Sequence, residues 1–153
     1  MERVLRLAGE SAMTDFATRV ARLDGLGLRV WLRGDLGVGK TTWVRGFLHA
    51  LGYQGPVKSP TYTLVEHYAI DDHRLFHFDL YRVSDAAELE YMGIRDYFTA
   101  GATVLVEWPE NGAGILPNPD IEIQIHYDGA GARHLTLNSH TERGTRLMRH
   151  LEA

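Results

Sequence analysis

Residues Gly34-Asp35-Leu36-Gly37-Val38-Gly39-Lys40-Thr41 match the pattern G-x-x-x-x-G-K-[ST] at every fixed position. The pattern restricts the fold before any other residue is read, because such a loop has to leave a strand and open a helix. Both flanks comply. Leu28-Arg29-Val30-Trp31-Leu32-Arg33 alternates as a strand does, and Trp43, Val44, Phe47, Leu48 and Leu51 recur at helical spacing within Thr41 to Leu51. Glycines let successive backbone N–H groups curl round an anion, and the amino end of the helix adds partial positive charge. Lys40 would reach terminal phosphates and Thr41 would offer a hydroxyl to Mg²⁺, so the stretch predicts a nucleoside triphosphate site over Asp35, Leu36, Gly37, Val38, Gly39, Lys40 and Thr41. Among the 16 Lys and Arg residues only Lys40 and Lys58 are lysines, so this slot of an arginine-rich chain points to a need for a compact ammonium. Lys40 is expected to face solvent, with the nucleotide as its partner.

At 153 residues, 44% of them hydrophobic, the chain suits one domain over residues 1–153 and is too short for two ordinary ones. A net charge of −4 gives no chain-wide reason for autonomous binding of RNA or DNA. With no cysteine, disulfides and thiolate metal sites are excluded, which is compatible with the cytoplasm. No signal-peptide core and no membrane-length apolar run is visible, so a soluble intracellular protein is expected.

The chain then divides as follows. Val4, Leu5 and Leu7 predict a first strand, and Ser11 a helix cap before Met13, Phe16, Ala17, Val20 and Leu23. Gly52 to Pro60 reads as an ordered loop. Tyr62 to Ile70 and Arg74 to Asp79 read as an antiparallel hairpin about Asp71-Asp72-His73. Ser84 or Asp85 caps a helix with Leu89, Tyr91 and Met92 on its apolar side, and Ile94, Tyr97 and Phe98 pack a further helical turn. Thr103 to Trp108 is apolar on both faces, as a central strand is, and Asn111 to Pro119 reads as a loop. Ile121, Ile123 and Ile125 alternate with polar residues as an edge-type strand, with Arg133 to Leu137 as its hairpin partner. From Thr141 a helix should turn Leu147, Met148 and Leu151 inward and Arg143, Arg146 and Arg149 outward, its charge diluted by Glu142 and Glu152.

A phosphate loop needs a carboxylate on a neighbouring strand, and Asp79 and Glu107 both end apolar strands. Either can hold Mg²⁺ or orient water; the plainer readings are a turn cap for Asp79 and a buried partner of Arg82 or Lys58 for Glu107. A central parallel strand delivers its carboxyl end to a nucleotide, which favours Glu107 as the Mg²⁺ ligand. Together with Lys40, these two acids are the candidate catalytic residues. The eight histidines show no zinc spacing, so His67 and His77 read as strand residues facing a polar side. Arg82 is read as an ion-pair residue in preference to an arginine finger. Trp108 is either a packed strand-end residue or part of a partner-facing surface.

Gly34 to Thr42, Lys58-Ser59-Pro60-Thr61-Tyr62-Thr63-Leu64-Val65-Glu66, His77-Phe78-Asp79-Leu80-Tyr81-Arg82, Glu88 to Phe98 and Leu105-Val106-Glu107-Trp108-Pro109 together resemble the TsaE family. These are small bacterial ATPases of tRNA threonylcarbamoyladenosine biosynthesis. The resemblance implies ATP and Mg²⁺ as cofactors, with Thr41 or Thr42 and Glu107 at the metal. It implies TsaB and TsaD as partners, with tRNA met through their complex, and switch-like roles for Ser59 to Thr61 and His77 to Arg82. Adenine contacts from Ser11 and Arg133 are suggested outside the motifs. The expected fold is a P-loop NTPase-like three-layer α/β domain with a mixed, mainly parallel sheet, an antiparallel hairpin and flanking helices. A small-molecule kinase is the alternative, disfavoured because no lid-sized insertion separates the strands, and a nucleotide-binding adaptor without turnover is a third reading.

Overall fold

A computed structural model describes residues 1–151; Glu152, expected to dilute the charge of the last helix, lies outside the described residues. Seven strands, β1 (Glu2–Ala8), β2 (Arg29–Arg33), β3 (Val65–Ile70), β4 (His73–Asp79), β5 (Thr103–Glu107), β6 (Ile121–Tyr127) and β7 (Ala132–Ser139), form one sheet in the order β1-β7-β6-β2-β5-β4-β3. The helices are α1 (Glu10–Asp24), α2 (Lys40–Ala50), α3 (Ala87–Tyr91) and α4 (Glu142–Leu151). The centre of the sheet, β6-β2-β5-β4, is joined by three parallel pairs, and three antiparallel pairs close the flanks, two on the β1 side and one on the β3 side. Among the described residues, no helix is long and apolar enough to cross a membrane.

The two-residue period of a buried strand sorts side chains onto two faces. In β5, Leu105 joins the core under α1, α2 and α4, whereas Val104 and Val106 join a second core under α3 and a 3₁₀ turn at Ile94–Tyr97. In β4, Leu75 belongs to the first face, and Phe76 and Phe78 to the second. His77, Asp79 and Glu107 therefore fall in phase with Leu75 and Leu105, on the face that carries α2. Because β2, β4 and β5 are parallel, they end at the same edge of the sheet, and Asp79 lies in register beside Glu107.

Several expectations need correction. Strand β6 lies inside the sheet between β2 and β7. Its polar alternation marks one face packed under polar partners, with Glu122 on Arg33 and His140, and does not mark an edge. The true edges are β1 and β3. Strand β3 begins at Val65 and not at Tyr62, since Leu64 has φ 73° and its N–H turns back to the Pro60 carbonyl at 2.7 Å. Gly9, not Ser11, caps α1, and Leu23 is exposed; Tyr91 is exposed as well, so α3 turns Leu89 and not Tyr91 into the core. Pro109–Gly112 forms a 3₁₀ turn that runs into the start of the loop expected from Asn111 to Pro119. Arg143 points inward: its guanidinium holds Asp24 at 2.7 Å and donates to the Gly27 carbonyl at 2.8 Å, closing the carboxyl end of α1. Its partner Asp24 raises the guanidinium above its ordinary pKa.

Candidate functional site

The glycine loop leaves β2 at Gly34, whose φ of 148° no side chain tolerates easily. A Cβ there would also stand 2.7 Å from both the Ile125 carbonyl oxygen and a Val38 methyl. Gly39, at φ 119°, caps α2, so the first N–H groups of that helix open into the loop. Asp35, Leu36 and Gly37 are exposed, while Val38 anchors the loop in the core.

Lys40 does not face solvent. It is the first residue of α2 and is only 5% exposed. Its ammonium donates to the Gly34 carbonyl and to the Asp35 carbonyl at 3.3 Å, and lies 4.1 Å from the centre of the Trp108 ring. Burial lowers its pKa against the raising influence of Glu107, Asp79, Glu110 and Asp35. Trp108 adopts φ 57° and packs on Tyr81 at 5.0 Å, and Asn111 ties the same segment to the Leu80 carbonyl at 2.9 Å.

Glu107 and Asp79 share an edge but not their partners. Glu107 Oε2 meets His77 Nε2 at 2.6 Å and accepts from the Thr41 hydroxyl at 3.4 Å. This replaces both the Arg82 or Lys58 partner expected for Glu107 and the polar-facing position expected for His77, which is fully buried. Asp79 Oδ1 accepts the Tyr81 N–H at 2.9 Å, and its Oδ2 accepts the hydroxyls of Ser59 at 2.9 Å and Thr61 at 3.0 Å. It thus caps the turn and also fastens a loop twenty residues away. Arg82 is exposed and lies 4.2 Å over the Tyr62 ring, a cation–π contact in place of the expected ion pair.

These groups line one cavity of about 180 Å³ bounded by Gly37, Lys40, Thr41, Thr42, Asp79 and Glu107 among others, with Leu36 at its rim. A second cavity of about 200 Å³ adjoins it across Gly37, Gly39 and Thr42 and is walled by Gly9, Glu10, Met13, Val38 and Arg133. Ser11 is exposed in the first turn of α1 and does not line that wall; Arg133 does, but its Nε donates to the Val38 carbonyl at 2.7 Å. No group of three or more His, Asp or Glu residues suited to a metal occurs among the described residues. The Thr41 hydroxyl and Glu107 carboxylate are two hard oxygen donors, and such a pair suits a Mg²⁺ ion that keeps waters and shares phosphate oxygens. His77 was expected at the start of a switch-like segment and as a polar-facing strand residue; its pairing with Glu107 was missed, although its phase with Asp79 along β4 was readable.

The fold and the glycine loop together define an α/β domain of the P-loop NTPase-like class. A family model described as "Threonylcarbamoyl adenosine biosynthesis protein TsaE" matches residues 7–135. The chain is 52% identical over 122 residues to the tRNA threonylcarbamoyladenosine biosynthesis protein TsaE of Haemophilus influenzae, covering 79% of this chain and 76% of that one. It is 38% identical over 108 residues to the protein of the same name from Bacillus subtilis, covering 71% and 67%. A crystal structure of Bacillus subtilis YdiB superposes with a TM-score of 0.84 at 28% identity, over 99% of this chain and 95% of that one. The chain belongs to the TsaE family of tRNA threonylcarbamoyladenosine biosynthesis proteins.

Proposed function

We propose that this protein binds and hydrolyses ATP with Mg²⁺ to serve threonylcarbamoyl modification of adenosine in tRNA. It acts in the cytoplasm with TsaB and TsaD and meets tRNA through their complex. The observation that carries the reading is the convergence of Lys40, Thr41, Asp79 and Glu107 on one cavity at the mouth of the glycine loop. The loop N–H groups and Lys40 bind the β- and γ-phosphates, and Thr41, flanked by Thr42, places its hydroxyl beside Glu107 for the metal. Bound Mg²⁺ neutralises charge on the phosphate oxygens. Asp79, which lines the cavity with its Oδ2 held by the Ser59 and Thr61 hydroxyls, orients a water. The water oxygen bonds to the γ-phosphorus as the bond to the bridging oxygen breaks, ADP leaves with that electron pair, and the water's proton ends on phosphate or solvent.

The test is ATP binding and phosphate release, with and without Mg²⁺ and the partner proteins, in wild type and in Lys40→Ala. A folded Lys40→Ala protein should lose at least roughly tenfold in ATP affinity, the scale of a charged hydrogen bond; unchanged affinity and turnover would falsify the phosphate-loop reading. Phosphate appearing on a small-molecule acceptor instead of in solution would favour the kinase alternative. Ser59 to Thr61 and Trp108 border the phosphate site, so affinity for TsaB and TsaD should differ about fivefold or more between ADP and a non-hydrolysable ATP analogue. Trp108→Ala should reduce that affinity if the indole faces the partner.

A further inference from the structure

The outer rim of the glycine loop is gripped by the end of the β6–β7 hairpin. Tyr127 and Arg133 are register partners across that hairpin. The Tyr127 hydroxyl donates to the Gly37 carbonyl at 2.7 Å, and Arg133 Nε donates to the next carbonyl, Val38, also at 2.7 Å. The Arg133 guanidinium lies 4.0 Å over the Tyr127 ring, and its Nη1 donates to the Gly131 carbonyl at 3.0 Å, so each holds the other in place. Two residues further in along β6, the Ile125 carbonyl leaves room only for glycine at position 34.

In a trans peptide the C=O of one residue and the N–H of the next point in opposite directions. Drawing the Val38 carbonyl outward therefore aims the Gly39 N–H inward, toward the phosphate side. Drawing the Gly37 carbonyl outward fixes the Val38 N–H, which closes the loop's own turn on the Asp35 carbonyl at 3.2 Å. We infer that Tyr127 and Arg133 form a clasp that presets the curl of the glycine loop, making Tyr127 a positioning residue for phosphate binding. This inference rests on the nucleotide reading above and adds to it that a hairpin which need not touch the phosphates sets their affinity. Tyr127 is 56% exposed, so its hydroxyl contributes little to the core, and the clasp acts mainly on the loop.

The experiment measures ADP affinity without Mg²⁺, thermal midpoint without nucleotide, and turnover at saturating ATP, in wild type and Tyr127→Phe. Phe keeps the ring beneath Arg133 and removes only the hydroxyl. The expected result is a threefold to tenfold loss of ADP affinity, the range of one hydrogen bond, with the midpoint and saturated turnover unchanged. Arg133→Lys, which keeps the charge without the Nε donor, should weaken ADP binding similarly, and the double variant should lose less than the product of the two. Unchanged or tighter ADP binding by Tyr127→Phe would overturn the clasp, as would a loss matched by a fall in midpoint. If wild type itself bound no ADP, the nucleotide reading would fall and the clasp with it, a result distinguishable from the others.

Discussion

Asp79 and Glu107 stand side by side at the ends of two parallel strands, both almost fully buried, yet they are held in opposite ways. Glu107 is fixed from within: one of its oxygens takes a ring nitrogen from the sheet and a hydroxyl from α2. Asp79 is fixed from without, by two hydroxyls on the Ser59 to Thr61 loop, where Ser59 is exposed and no strand begins until Val65. Equal backbone positions thus yield one carboxylate tied to regular elements, a strand and a helix, and one tied to a loop outside them. The difference suits a fixed metal ligand beside an acid whose setting can answer to the state of the phosphate.

The largest expected effects test that contrast directly. Glu107→Ala should cut Mg²⁺-dependent turnover by about 10³-fold and leave Mg²⁺-free nucleotide binding near wild type. Asp79→Ala should slow turnover by about 10²-fold while keeping the Mg²⁺ dependence of binding. Nucleotide titrations with and without Mg²⁺ in both variants separate the roles, and a Mg²⁺ response surviving in Glu107→Ala would exchange them.

A smaller effect concerns how Glu107 is held. His77 is fully buried, and its Nδ1 has no hydrogen-bond partner among the described residues, so the ring's polar contact is Glu107 alone. His77→Leu leaves a buried carboxylate short of a donor, at a cost of about 1–3 kcal/mol, or several degrees in Tm for a chain of this size. His77→Gln can place an amide N–H near the same spot and should recover part of both stability and Mg²⁺ response. Equal stability of the Leu and Gln variants in thermal unfolding would mean that the hydrogen bond matters less than the volume of the ring.

Much of this arrangement was legible in the sequence. The glycine spacing located the loop, the alternation before it gave β2, and the helical recurrence of Trp43, Val44, Phe47 and Leu48 gave α2. The doubly apolar run at Thr103 to Trp108 gave a buried strand inside the sheet, which ends one residue early at Glu107 because Trp108 turns left-handed. What stayed hidden depends on pairing over long separations. Periodicity reports which faces a strand covers and not which strands flank it, so β6 passed for an edge although β2 and β7 lie on either side. A polar residue within an alternating strand reads as solvent-facing until its partner is known, and the partner of His77 is thirty residues away. The outward setting expected for Arg143 failed similarly, because the carbonyls it closes belong to a helix end more than a hundred residues earlier. Lys40 belongs with these, since the residue that covers it lies far along the chain: Trp108, in a left-handed conformation that composition does not signal, folds its indole over the ammonium.

The smallest effect is the one that reaches furthest into the comparison. The Ser59 and Thr61 hydroxyls each have one proton to give, and the loop brings both to the single oxygen Asp79 Oδ2. Removing one hydroxyl leaves the other on the same acceptor, so Ser59→Ala or Thr61→Ala alone should slow turnover only about twofold to threefold, less than a full hydrogen bond is worth. Removing both frees Oδ2 from the loop while Oδ1 keeps the Tyr81 N–H, so the acid stays in place at one end and loses its setting at the other. The double variant should therefore lose more than the product of the single effects, approaching the Asp79→Ala rate, with Mg²⁺-dependent binding through Glu107 intact. Turnover and Mg²⁺ titration in the three variants decide the matter. A double variant no slower than either single one would show that Asp79 works without the loop, and would leave the two carboxylates differing in their neighbours but not in their freedom.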